Sequence, residues 1–417
     1  MNIIVQKFGG SSVAALQGVR RVAEIVGDAY RSGHRTVAVV SAQGDTTDAL
    51  LRQAAQVNPA PSPRETDQLL ATGECAAAAL LAMALHARGV PAVSLTGGQA
   101  GIRAVGPYGA AVVEAIDAAP VRELLATGTV AVVAGFQGIS PDGDVVTLGR
   151  GGSDTTAVAL AAELGAACCE IYTDVEGVCT ADPRVVPEAR VLPSVPPAVL
   201  AEMAFAGARV LHSRAVELAA MRKVELRVRS SFTKSAGTAV WAGRDAEVLE
   251  TRGVVAAITH DLDVARVLVH LTAARHDPAA DLLGVLGRQH VPVDLVARSG
   301  TYEAEFRMGF TIRRSDLDKV LAQLKESAEA LGGSVRVDTH VAKVSLVGMG
   351  LLSRPLYTAR LLEALAAGGI TTHWVSISQA RTSVIIARDR VLDAVALLHG
   401  EFANDFMLDH ADEMTSV

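Results

Sequence analysis

Over its first 230 residues the chain alternates short β-branched runs with stretches of helical spacing, and this alternation constrains the fold more than any other feature. Ile3–Gln6 reads as a strand that runs into a Gly-Gly turn. Val13–Ser32 has helical spacing, with Val19, Val22, Ile25 and Val26 on one face. Thr36–Ser41 reads as a buried strand, Thr47–Gln56 as a helix and Glu65–Arg88 as a longer helical region. Further strands are predicted at Ala92–Leu95, Val130–Ala134, Glu170–Thr173 and Glu225–Val228. Strands that alternate with helices imply an α/β fold with a mainly parallel sheet covered on both faces. Such sheets bind ligands in the loops beyond the carboxyl ends of their strands.

The chain has 417 residues, more than one hydrophobic core usually serves, so a second domain is expected. Thr233–Gly253 has few apolar runs and several charges, and reads as a linker. Beyond it lies an internal repeat. In the first copy, strands at Val264–Leu271, Val293–Ala297 and Glu305–Ile312 interleave with helices at Ala279–Arg288 and Ser315–Leu331. The second copy has strands at Lys343–Val347, His373–Ile377 and Thr382–Ala387, with helices at Thr358–Ala367 and Arg390–Phe402. Both copies read β-α-β-β-α, and Ser334–Asp338 is a plausible closing strand. The expected boundaries are 1–232, a linker at 233–253, and repeats at 254–340 and 341–417.

A formal net charge of −7 gives no electrostatic footprint for nucleic acid or an anionic membrane. None of Cys75, Cys168, Cys169 and Cys179 forms a CxxC pair, and the adjacent Cys168 and Cys169 read as buried thiols. Met1–Val5 shows no signal-peptide pattern. The Ala-rich run Cys75–Leu85 falls short of the ~18 residues a membrane span requires. The expectation is a soluble, cytoplasmic protein.

Three segments carry chemistry. Lys7-Phe8-Gly9-Gly10-Ser11-Ser12-Val13 ends a strand in a Gly pair followed by small hydroxyl residues. Glycine lets backbone approach a ligand, N–H groups at a helix start favour phosphate oxygens, and Lys7 adds a point charge. By itself the Gly pair could be a plain turn. The chain has no Gly-Lys dipeptide, so this is not a Walker A loop, and there is no GxGxxG fingerprint. Leu148-Gly149-Arg150-Gly151-Gly152-Ser153-Asp154-Thr155-Thr156 opens an Ala-rich helix over Ala157–Leu164. Ser153 or Asp154 could simply be its N-cap, but a cap does not account for Arg150 between glycines, which suits two-pronged carboxylate recognition. Tyr172 to Arg184, with Thr173, Asp174, Asp182 and Pro183, follows a strand and by itself could be any loop.

Together these segments resemble the aspartate kinases of the amino-acid kinase superfamily. That family opens with a Lys-Phe-Gly-Gly-Ser-Ser-Val type of turn and carries Gly-Arg-Gly-Gly-Ser-Asp in the middle. It continues with Asp-Val-Glu-Gly-Val and Thr-Ala-Asp-Pro-Arg, and all four strings stand here in order. Ser41-Ala42-Gln43-Gly44-Asp45-Thr46-Thr47-Asp48 resembles a further family string, with Gln43 where Met is usual, and Gly73-Glu74 and Ala134-Gly135-Phe136-Gln137-Gly138 also match. The repeats are similar to tandem ACT domains, small ferredoxin-like α+β modules that bind amino acids.

The resemblance implies transfer of the γ-phosphoryl group of ATP to the β-carboxylate of L-aspartate. Lys7, Gly9, Gly10 and Ser11 would hold ATP phosphates, and Asp154 would orient Lys7 and the reacting groups. Arg150 and Ser153 would fix aspartate carboxylates, Glu74 its ammonium, and Ser41 and Thr47 would complete that pocket. Thr173, Asp174, Asp182, Arg184 and Arg209 would surround the nucleotide. Mg²⁺ is expected with ATP through phosphate oxygens and water, with no protein metal ligands assigned. A homodimer or higher homo-oligomer through the ACT repeats is expected, with lysine or threonine as effectors.

The match is imperfect in places. Cys75 stands where the family usually has Arg, and Arg209 where it often has Lys. His212 reads as structural, because phosphoryl transfer to a carboxylate requires no His base. In the repeats, Ala279 and Leu356 follow proline where Gly is usual, and Arg298-Ser299 replaces a Gln-Asn pair, so the response to effectors is expected to be weakened or altered. Two alternatives stay open: a kinase for another amino-acid carboxylate, and a non-catalytic amino-acid sensor built on the same scaffold.

Overall fold

The computed structural model describes residues 2–208, 210–240, 254–271, 276–301 and 305–407. Arg209, most of the expected linker and the C-terminal tail lie outside the described residues. Beta-branched runs buried on both faces form the centre of an eight-stranded sheet. Its order is Ser194–Val195, Thr238–Val240, Leu226–Ser230, Cys168–Thr173, Ile3–Phe8, Arg35–Val40, Val130–Ala134 and Ala92–Leu95. Every neighbouring pair is parallel except Leu226–Ser230 with Thr238–Val240.

The two-residue period of a strand divides the core. Val5, Val37, Val39 and Val133 pack on one side with Leu160 and Ala215 from helices Gly152–Leu164 and Ser213–Arg222. Ala38, Val40 and Val132 pack on the other with Val19, Val22 and Val26 of Leu16–Arg31 and Leu81 and Leu85 of Pro63–His86. Helix Pro63–His86 is longer than the apolar run within it. By length and composition it could cross a membrane, but half of its apolar window is buried against the sheet. A second sheet, not expected from the sequence, joins Val112–Ile116, Ile102–Val105, Gln137–Ile139 and Val145–Thr147. Buried Asp67 ties it to helix Pro63–His86 by accepting from the N–H groups of Gly109 and Thr147 and from Thr147 Oγ1, at 2.7–2.9 Å.

Two of the expected boundaries move. Thr238–Val240 joins the main sheet, and Thr238 Oγ1 donates to Leu192 O at 2.6 Å, so the unit built on that sheet continues past residue 232. Val255–Asp261, assigned from sequence to the first repeat, pairs antiparallel with Val341–Gly348 of the second. The resulting sheet has the order Val255–Asp261, Val341–Gly348, Arg381–Ala387, Thr372–Ile377. The first repeat, with strands Asp294–Thr301, Glu305–Arg313, Val264–Leu271 and Gly333–Asp338, is inserted into the second. Each sheet buries one face under two helices, with Leu282 and Val320 over the first and Leu361 and Val395 over the second.

The repeats dock on the main-sheet unit at defined points. Ile258 N donates to Thr180 O at 2.8 Å, and Thr259 Oγ1 to Ala206 O at 3.2 Å. Lys343 and Arg381 both pair with Asp294, and Arg381 also reaches Glu202 at 3.4 Å.

Candidate active site

The carboxyl ends of the central strands open into a cleft of about 990 Å³ that Lys7, Gly9, Ser11, Arg150, Asp154, Thr173 and Asp174 help to line. Lys7, at the end of the first strand, meets Asp154, in the first turn of helix Gly152–Leu164, with 2.6 Å between Nζ and Oδ1. Both side chains are almost buried, 12% and 11% exposed. An ion pair so little exposed keeps more of its Coulomb attraction than one on the open surface. It holds the lysine ammonium at a fixed point of the cleft.

The two glycines after Lys7 differ in what they need. A Cβ on Gly10 would lie 2.9 Å from Ala42 O and 3.1 Å from Gly44 O, so Gly10 lets the Ser41–Asp45 loop close in. A Cβ on Gly9 would meet only Lys7 Nζ at 3.6 Å and Tyr172 O at 3.8 Å. Gly9 therefore faces the cleft, and Gly10 faces protein. Ser11 is exposed at the cleft, whereas Ser12 is buried against Ser231, with 2.8 Å between their hydroxyl oxygens.

Gly151 precedes helix Gly152–Leu164 with φ 71°. Arg150 beside it is exposed and forms no ion pair among the described residues. Ser153 is buried beside Gly135. His212 is the N-cap of helix Ser213–Arg222: its Nδ1 accepts from Arg214 N at 3.4 Å, and its own N–H donates to Asp154 Oδ2 at 3.4 Å. Burial holds the His212 imidazole below its ordinary pKa, against the opposing charge of Asp154. A neutral capping imidazole matches the structural reading of His212. Arg214, which the sequence reading did not single out, donates to Leu148 O at 2.9 Å and Ala111 O at 3.3 Å and so anchors the strand that leads into the Gly149–Gly152 turn.

Glu74 is 3% exposed on helix Pro63–His86. Its Oε1 accepts from Ala42 N at 3.0 Å, next to Ser41, while Oε2 is buried with no hydrogen-bond partner among the described residues. Burial pushes its pKa up to about 7. The folded value lies above the unfolded one, so the native state binds more protons between the two and stability falls as pH rises through that window. Glu74→Gln is therefore expected to leave thermal stability unchanged at pH 4 and raise it by on the order of 1–3 kcal/mol at pH 8. Melting curves at the two pH values check this, and equal effects at both would contradict it. Thr47 sits half-buried in the first turn of helix Thr46–Val57.

Thr173 Oγ1 donates to Asp174 Oδ1 at 3.1 Å, and Arg184 Nε lies 3.0 Å from Asp182 Oδ1. Asp174, Asp182 and Arg184 line a smaller adjoining cavity of about 220 Å³ with Met203, Val210 and Ile258. Of the expected residues, Lys7, Gly9, Ser11, Arg150, Asp154, Thr173 and Asp174 line the cleft, and Asp174, Asp182 and Arg184 line the side cavity; Gly10, Ser41, Thr47, Glu74 and Ser153 line neither, Glu74 being joined to the Ser41 loop through Ala42 N. Among the described residues, no group of three or more His, Cys, Asp or Glu side chains could hold a metal ion.

Residues 2–230 match the Amino acid kinase family and residues 344–402 an ACT domain. An aspartokinase of Geobacillus stearothermophilus is 43% identical over 402 residues, covering 96% of this chain and 97% of that one. One from Mycolicibacterium smegmatis is 43% identical over 406 residues, 96% of both chains. The chain belongs to the aspartokinases of the amino acid kinase family. Among solved structures it is similar to Escherichia coli aspartokinase III in complex with aspartate and ADP. The TM-score is 0.80 at 25% identity, covering 96% of this chain and 99% of that one. In this aspartokinase fold, a parallel sheet carries the cleft and antiparallel ACT sheets follow it.

Proposed function

We propose that the chain transfers the γ-phosphoryl group of ATP to the β-carboxylate of L-aspartate, giving ADP and 4-phospho-L-aspartate. The observation that carries this reading is the Lys7–Asp154 pair, held at 2.6 Å in a cleft it shares with Arg150, which forms no ion pair among the described residues. A carboxylate oxygen forms the new P–O bond as the bond from the γ-phosphorus to the β–γ bridging oxygen breaks, and that electron pair leaves with ADP. The acceptor is already ionised at neutral pH, so no general base is required. What remains is positioning and charge stabilisation.

Lys7 meets the negative charge on the transferring oxygens, and Asp154 fixes where its ammonium points. Gly9 and Ser11 leave room for phosphates beside it. Arg150 can clamp an aspartate carboxylate with two donors, with Ser153 beside it. The unpartnered Glu74 Oε2 suits the substrate ammonium, with Ser41 and Thr47 near it. Thr173, Asp174, Asp182 and Arg184 surround the nucleoside. Mg²⁺ bound to phosphate oxygens and water would add charge neutralisation, which fits a site with few converging protein carboxylates.

A coupled ATP assay with aspartate and glutamate in parallel tests the reading. Turnover with aspartate alone is the expected result. Turnover only with glutamate would point to another carboxylate, and none with either to a non-catalytic sensor.

In the regulatory half, Arg298 pairs with Asp277 at 2.6 Å, tying strand Asp294–Thr301 to the turn before helix Ala279–Arg288, and Leu356 is 66% exposed in the first turn of helix Pro355–Ala367. Both features stand at positions where the resemblance places an amino-acid effector. Lysine, threonine or both together are therefore expected to inhibit weakly, and an inhibitor titration of the same assay reads this directly. Steep inhibition at low effector concentration would refute it. Strand Thr372–Ile377 lies at a sheet edge with Val375 and Ile377 each 44% exposed, a surface on which a second copy of this chain could pair. All four cysteines are free, in keeping with a reducing cytoplasmic compartment.

A further inference from the structure

The 220 Å³ cavity and the 990 Å³ cleft are two compartments of one site: Asp174, Gly207, Ala208, Val210 and Leu262 line both. The smaller has apolar walls at Val175, Met203, Val210, Ile258 and Leu262, with polar groups at Asp174, Thr259, His260 and the pair Asp182–Arg184. The larger holds the charges at Lys7, Arg150 and Asp154. A nucleoside triphosphate divides in the same way, into a flat apolar base and a charged tail. Ligand sites commonly combine apolar walls with a few convergent polar groups.

One wall of the base-sized compartment does not come from the catalytic unit. Ile258, Thr259 and His260 belong to strand Val255–Asp261 of the regulatory sheet, and Leu262 lies in the turn that leads from it into the first repeat. The wall is fixed in register by the hydrogen bonds from Ile258 N to Thr180 O and from Thr259 Oγ1 to Ala206 O. Leu262 is only partly buried by its neighbours, and it stands where the two compartments meet.

We propose that the regulatory half completes the nucleotide site, with Leu262 packing on the purine of the bound nucleotide. This rests on the ATP-dependent reading above and adds to it a contact between nucleotide and regulatory unit. Whatever nucleotide binds there then also holds strand Val255–Asp261 against the catalytic unit.

The test uses the full chain and two probes, ADP and inorganic triphosphate, in titration calorimetry. Leu262→Ala should weaken ADP binding about tenfold, the order expected for one apolar side-chain contact. It should leave inorganic triphosphate, which has no base, and the KM for aspartate within twofold, and Leu262→Met should bind ADP as the wild type does. In the wild type, saturating ADP should slow amide exchange across residues 258–262. ADP affinity within twofold of wild type in Leu262→Ala, or an equal loss for both probes, would overturn the proposal. So would unchanged exchange, a measurement that decides the matter even if the alanine variant does not fold. A wild type that binds no ADP would instead defeat the ATP-dependent reading itself.

Discussion

Lys7→Ala should remove phosphoryl transfer, lowering kcat by roughly 10³–10⁵, the range found when a cation that meets transferring phosphoryl oxygens is lost. The side chain ends beside Asp154 and the cleft-facing Gly9 and fills no part of the apolar core, so the sheet should keep its packing. The variant leaves Asp154 with its charge and no ammonium, in a position only 11% exposed. A lone charge in such a place is destabilising, so the single variant should also melt earlier than the wild type. Lys7→Ala/Asp154→Asn separates the two effects: stability should return and turnover should not. Single-turnover measurements and melting curves on the three proteins read both quantities. Turnover near normal in either variant would refute the assigned role of Lys7, and loss of stability alone would make the pair a structural one.

The parts of this fold that are legible in the sequence are those with a local physical signature. Buried parallel strands are nearly continuous apolar runs, and Arg35–Val40 and Val130–Ala134 stand out for that reason. Helix Leu16–Arg31 is legible from Val19, Val22 and Val26, which return at helical spacing. The Gln137–Ile139 and Val145–Thr147 strands are only three residues long, too short for any period to show. The pairing of Val255–Asp261 with Val341–Gly348 is a long-range choice between sheets that offer similar apolar faces, and no local pattern records it. At the site, the four strings in order point to Lys7, Arg150 and Asp154 through resemblance, whereas spacing alone leaves each as a turn or a cap. Sequence reading treats Gly9 and Gly10 alike, and only the position of Ala42 O separates them. The regulatory wall at Ile258–Leu262 has no motif, because what matters there is which surface the strand docks against.

Gly151→Ala should damage stability and turnover together, although the added group is a single methyl. The residue sits at φ 71°, a left-handed conformation in which a side chain costs roughly 1–2 kcal/mol. The new Cβ would also fall 2.3 Å from both Cβ and Cγ of His212, far inside van der Waals contact. His212 has little freedom to move aside, because its ring caps helix Ser213–Arg222 through Arg214 N and its backbone N–H reaches Asp154. Displacing it gives up the cap, worth about 1 kcal/mol, and withdraws a donor from the carboxylate that orients Lys7. The combined loss should be on the order of 3 kcal/mol in stability. Turnover should fall at least tenfold even at temperatures where the variant is fully folded, since small displacements of positioning groups carry large rate penalties. Gly143→Ala is the matching control: it too has positive φ, 85°, but a Cβ there meets nothing within 4 Å. Its loss should be limited to the backbone term, with turnover unchanged. Denaturant melts and steady-state kinetics of the two variants decide the matter. Equal behaviour would mean that the His212 contact relaxes freely and that backbone conformation alone accounts for the glycine.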